Sequence, residues 1–104
     1  MRRRHAGWGG VTFAALATVG AAHAQTDQMQ QTAQCVLSYT RDTRSALAVS
    51  MIRTACNDMV INTGDMFIKQ RAYDQCLVQN LSGAQSDAAA VQIQSACRTA
   101  YPLF

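Results

Sequence analysis

The chain contains no glutamate, one proline and one tryptophan, and only 14% of its 104 residues are charged. Both histidines, His5 and His23, and Trp8 fall within the first 24 residues, so nothing after Ala24 carries an imidazole. General-base and nucleophilic catalysis call for a group poised near neutral pH. After Ala24 the candidates are Asp27, Asp42, Asp58, Asp65, Asp74, Asp87 and the basic side chains. No two of these aspartates stand at a spacing that marks a carboxylate pair. The four cysteines are too far apart in sequence for a C-x-x-C redox motif or a Cys₄ zinc site. Met29, Met51, Met59 and Met66 form no Met-x-x-Met cluster, and core packing is a better reading for them than a Cu(I) site. The inventory therefore points to a protein that is not an enzyme and holds no cofactor or metal.

No stretch alternates as a strand, and no apolar run reaches the roughly 20 residues of a membrane-spanning helix. The longest, VTFAALATVGAA, follows the basic start MRRRHAGWGG and precedes Ala22-His23-Ala24, an A-x-A cleavage site. Residues 1–24 read as a signal peptide, cleaved after Ala24. With it go Arg2, Arg3 and Arg4, leaving six basic and six acidic residues and no net charge in residues 25–104. A nucleic-acid partner loses its electrostatic support, and no stable membrane insertion is expected after cleavage.

What the remaining 80 residues do contain is a repeat. Residues 34–56 and 75–97 lie 41 positions apart, and Gln34/Gln75, Cys35/Cys76, Ser45/Ser86, Ala48/Ala89, Ile52/Ile93, Ala55/Ala96 and Cys56/Cys97 are identical. Ala48, Ile52, Ala55 and Cys56 fall on one face of a 3.6-residue repeat, as do Ala89, Ile93, Ala96 and Cys97. Gln92, Gln94, Ser95 and Arg98 then face water. Ser45 and Ser86 stand where N-cap hydroxyls belong, and Asp87 adds first-turn negative charge. The expected fold is all-α: four short helices arranged as two duplicated helical hairpins, each stapled by a disulfide, in one domain over residues 25–104. The helices are expected at about 28–40, 45–61, from Asp65 to about 81, and from 86 or 87 to about 101, where Pro102 stops the last. Arg41 to Arg44 form the first loop, Gly64 marks a helix end and the last loop contains Gly83. Met29, Ala33, Val36, Leu37 and Thr40 form the expected inward stripe of the first helix, and Tyr73, Cys76, Leu77 and Leu81 that of the third. Tyr39, Phe67, Tyr73, Tyr101 and Phe104 are read as core or contact residues. The apolar end, Tyr101-Pro102-Leu103-Phe104, is expected to fold back over the bundle.

A domain this small has a marginal core and usually carries staples. In an exported chain, four cysteines imply two disulfides. The repeat argues for Cys35–Cys56 and Cys76–Cys97, each worth about 3 kcal/mol through chain entropy. One difficulty stands against it. Cys76 lies about five residues before its loop and Cys97 about ten into the next helix, so the arms differ by about 7 Å. Bridged Cα atoms must approach to about 7 Å. The loop must then run back along the arm or the helices must cross widely. Cys35–Cys97 with Cys56–Cys76 is the alternative pairing.

The run S-D-A-A-A-x-x-I-x-x-A-C-R-x-x-Y-P over residues 86–102, preceded by C-L-x-x-N-L-x-G over 76–83, resembles small four-cysteine proteins exported by Gram-negative bacteria. The first repeat shares with it the cysteines and the Ser/Ala/Ile face, but has Ala46 in place of the acid and no glycine in its loop. The resemblance implies a periplasmic, disulfide-bonded protein and adds no active site. The functional expectation is a small periplasmic or secreted helical binding or interaction module, acting on another envelope protein. The alternative is a carrier of a small apolar ligand or lipid, because stapled helices can enclose a cavity.

Overall fold

The two serines predicted as caps do cap helices. Ser45 Oγ accepts the Ala48 N–H at 3.0 Å, and Ser86 Oγ accepts that of Ala89 at 3.1 Å. Each cap residue is extended, as an N-cap must be, and each satisfies one of the first free amides of the helix that follows. The structure is a computed structural model of the 104-residue chain and describes residues 26–62 and 68–103. These residues form four helices and no strand: α1 (residues 26–40), α2 (Ala46–Ile61), α3 (Ile68–Leu81) and α4 (Asp87–Ala100). The proposed signal segment and cleavage point, and the predicted features at Gly64, Asp65, Met66, Phe67 and Phe104, lie outside the described residues. Two compact units are distinguished, residues 1–30 and 31–104. In the first, residues 26–30 are helical and exposed. The core and both disulfides belong to the second.

Cys35 is bonded to Cys56 and Cys76 to Cys97, with Cα–Cα distances of 5.8 and 5.7 Å. Each bridge ties the two helices of one hairpin, as the repeat argued, and the inter-repeat pairing does not occur. Both copies accommodate the unequal arms with loops of equal length. Each hairpin has five residues between its helices, 41–45 and 82–86. In the second, a turn closed by Ala84 N–H to Leu81 O at 3.0 Å is followed by extended Ser86, letting the chain run back before α4 begins. Gly83 has no positive φ, and a Cβ there would meet nothing within 4 Å. This loop has no conformational need for glycine, which is why the first loop can lack one.

The core is built on α2. Ala48, Ile52, Ala55 and Cys56 are all buried, the face that the periodicity assigns. Against it lie Tyr73, Leu77, Val78 and Leu81 of α3, Ala84 of the loop, and Ala90 and Cys97 of α4. Its most extensive packing among α2, α3 and α4 is with α3, while α4 lies at the edge of the cluster. That position explains why the second copy of the face is less covered than the first: Ala89 and Ile93 are half-buried and Ala96 is exposed. Leu103 packs back on the core, in keeping with a folded-back tail.

The first helix corrects the predicted stripe. Met29, Ala33 and Leu37 are exposed, Met29 and Leu37 by 72% and 69%, while Cys35, Val36 and Tyr39 meet the core. The buried face is turned by a little under one residue, close to 100°. Cys35 must point at Cys56, and this covalent constraint overrides the apolar pattern of an otherwise short stripe.

Candidate functional site

The two hairpins meet at their loops. Thr43 Oγ1 donates to the Ala84 carbonyl at 2.6 Å, and the Arg44 N–H donates to the same oxygen at 3.0 Å. Thr43 and Ala84 are 41 positions apart, so these are equivalent positions of the repeat touching each other. Asp87 then crosses between copies. Its Oδ1 accepts from the buried Ser45 hydroxyl at 2.6 Å and from the Leu47 N–H at 3.2 Å, placing a carboxylate on the first turn of α2. These two bonds, the Ser45 hydroxyl first, hold its carboxyl below the ordinary 3.8. Sequence assigned Asp87 to the first turn of its own helix; it serves α2 as well. Ala46, which replaces the acid in the first copy, is where a reciprocal bond would otherwise start.

A second cluster lies on the α2–α3 seam, where a cleft of about 230 Å³ opens to solvent. Met51, Ala55, Tyr73 and Leu77 supply apolar lining, while Ser50, Thr54, Asp58, Gln70, Asp74 and Gln94 supply polar groups. Three helices contribute, and Gln94, expected to face water, is the half-buried contribution of α4. Asp74 is only 3% exposed. Its Oδ1 accepts from Gln70 Nε2 at 3.0 Å, and the Asp58 carboxyl lines the same cleft beside it. Asp58 in turn accepts from Asn62 Nδ2 at 2.5 Å. Burial, followed by the Asp58 hydrogen bond, pushes the Asp74 carboxyl up from 3.8 to about 7; Gln70 and Arg71 pull the other way. The Arg71 guanidinium is engaged at the end of α2, donating to the carbonyls of Met59 and Asn62 at 3.4 and 3.3 Å. A cation there also suits the negative end of the helix dipole.

Sequence reasoning missed this carboxyl pair because it looked for aspartates spaced along one helix. Asp58 and Asp74 sit on different helices and meet only through tertiary packing. One local signal was available: Asp74 falls three and four positions before Leu77 and Val78, on the buried face of α3. A perturbed acid in a cleft is a recognised mark of a functional site. Of the residues singled out from sequence, the four cysteines are brought together in pairs, and none of them lines the cleft. Met51 lines it, Met59 packs on the core and Met29 is exposed, so these three methionines do not converge. Among the described residues, no group of three or more potential metal-ligating side chains occurs, and no helix is long and apolar enough to cross a membrane.

Two intact disulfides are the chemistry of an oxidising compartment. Neither the curated proteins nor the solved structures contain a significant match to the chain. A family model does match, over residues 12–101, and with its four cysteines joined in two bridges the chain belongs to the four-cysteine protein VF_A0006-like family.

Proposed function

We propose that this protein is a small periplasmic binding module, exported by a signal peptide over residues 1–24, that presents a disulfide-stapled helical surface to another envelope protein. The observation that carries this reading is the cleft on α2, α3 and α4. It is open to solvent and mixed in polarity, and its walls belong to helices held by two covalent bridges. Rigid walls lower the entropic cost of association. A cleft of about 230 Å³ is below the roughly 300–1,000 Å³ of pockets that bury drug-sized ligands, which weighs toward a partner's side chains and against an enclosed lipid. The zero net charge of residues 25–104 gives no support to nucleic acid or an anionic membrane.

The test is affinity capture from an envelope extract with the wild type and with Thr54→Tyr, which fills the cleft from its exposed rim. A partner retained by the wild type and lost by the variant supports the reading; equal retention, or no reproducible partner, removes it. Saturable binding of a fluorescent fatty acid by delipidated protein would favour the carrier instead. Export is tested by intact mass, with a mature start at Gln25 expected.

A further inference from the structure

Among the described residues, Asp74 is the one buried carboxyl group, and a purely structural scaffold does not account for it. A buried ionised carboxylate without a counter-ion is costly, and an apolar residue at this position would pack without that cost. We propose that a single proton held between Asp58 and Asp74 latches α2 to α3 along the cleft, and that its release loosens this seam. Two carboxylates can only accept; a hydrogen bond between them requires a proton on one. Each also accepts an amide from its own helix neighbourhood, Asn62 onto Asp58 and Gln70 onto Asp74, which fixes both carboxyls in place.

The surroundings offer no substitute for the proton. From α2 the facing titratable group is Asp58 itself. On α3 they are Tyr73, which lines the same cleft, and Arg71, whose Nη2 is engaged by the Met59 and Asn62 carbonyls. Helix α4 contributes neutral Gln94, and α1 contributes no residue to the lining. Asp74 makes no ion pair among the described residues. The buried acid is raised to about 7, so between 3.8 and about 7 the folded chain binds more protons than the unfolded one. The latch is therefore fully held below the ordinary carboxylate range and is lost as pH rises through about 7. Acid closes the seam and the approach to neutral pH loosens it, the reverse of an ordinary ion pair. The cleft lies on that seam, so whatever docks there meets a wall whose stiffness depends on external pH.

The experiment combines carboxyl carbon NMR with amide hydrogen exchange on the folded protein from pH 5 to 9. One aspartate carbon is expected to titrate near pH 7. Protection in the second half of α2 and the first half of α3, corrected for intrinsic base catalysis, should fall by up to about tenfold per pH unit from pH 5 to about 7, the slope of one released proton, and level off above that point. In Asp74→Asn the amide donates in place of the proton, and this extra pH dependence should vanish. Asp58→Asn is the reciprocal variant and should remove it as well. A wild type in which no aspartate titrates above pH 5.5, or an Asp74→Asn protein that loses protection with the same slope, overturns the proposal.

Discussion

Removing one staple is the perturbation whose size the structure fixes best. In Cys76→Ala/Cys97→Ala the bridge is lost without leaving a free thiol, and the loop it closed spans 21 positions. The chain-entropy relation for a loop of that length gives about 3 kcal/mol at 25 °C. A domain of this size has a total stability of about 4–12 kcal/mol, so a single removal should leave a folded but much weakened protein. Cys35→Ala/Cys56→Ala opens a loop of the same length. Both bridges join one half-buried to one buried cysteine, so the packing losses are also alike. The two double variants should therefore agree within about 1 kcal/mol, and the quadruple variant should lose about 6 kcal/mol and sit at or below the folding threshold. Urea unfolding followed by far-UV circular dichroism measures all four proteins. A loss below about 1 kcal/mol for either pair would refute the entropic argument. Unequal losses would show that packing around one bridge, rather than loop closure, sets its value.

Ser45 caps α2, is buried and donates to Asp87, so Ser45→Ala should cost about 2 kcal/mol, at the upper end for a cap. The exposed second cap, Ser86→Ala, should cost less in the same urea titration. Gly83→Ala should be neutral or stabilise by up to about 1 kcal/mol, because the turn uses no positive φ and a methyl meets empty space; a loss of more than that would contradict the loop geometry. Asp87 has a lowered carboxyl pKa, so the stability it contributes is present above the ordinary carboxylate range and is lost as pH falls through its folded value. Asp87→Asn, which keeps an oxygen for Ser45 and Leu47, should accordingly unfold with a shallower acid limb than the wild type. Set against the opposite behaviour of Asp74, the wild type should be most stable in mildly acidic solution, which thermal midpoints from pH 3 to 9 would show.

Local chemistry is what the sequence made readable. An N-cap needs only a hydroxyl and the amide three residues on, so Ser45 and Ser86 could be assigned without knowing the fold. The disulfide pairing was readable because duplication repeats the same 21-residue interval, and a unit that closes on itself can be copied whole. The burial of α2 followed from periodicity since α2 has neighbours over much of its apolar face. Helix α1 was different: Val36 and Leu37 are adjacent and both apolar, and only the direction of Cys56 decides which one turns inward. The meeting of Asp58 with Asp74, and of Asp87 with Ser45, depends on how one helix lies on another. No window on a single helix contains that information.

Neither bridge crosses from one hairpin to the other, and this has a consequence for how the molecule is made. Cys56 and Cys76 are separated by 20 positions, as short an interval as either native pair. An unfolded chain meeting an oxidant would close that loop about as readily as the correct ones, because closure entropy depends on length alone. Chain statistics therefore cannot select the native isomer. Selection falls to the helices, which must bring Cys35 to Cys56 and Cys76 to Cys97 before the sulfurs react. If oxidation comes first, the central cysteines join in a share of the chains, Cys35 and Cys97 lose their native partners, and recovery then requires thiol–disulfide exchange. Yield of the native isomer is thus a race between helix packing and thiol chemistry, and a reducing shuffle should rescue chains that lose it.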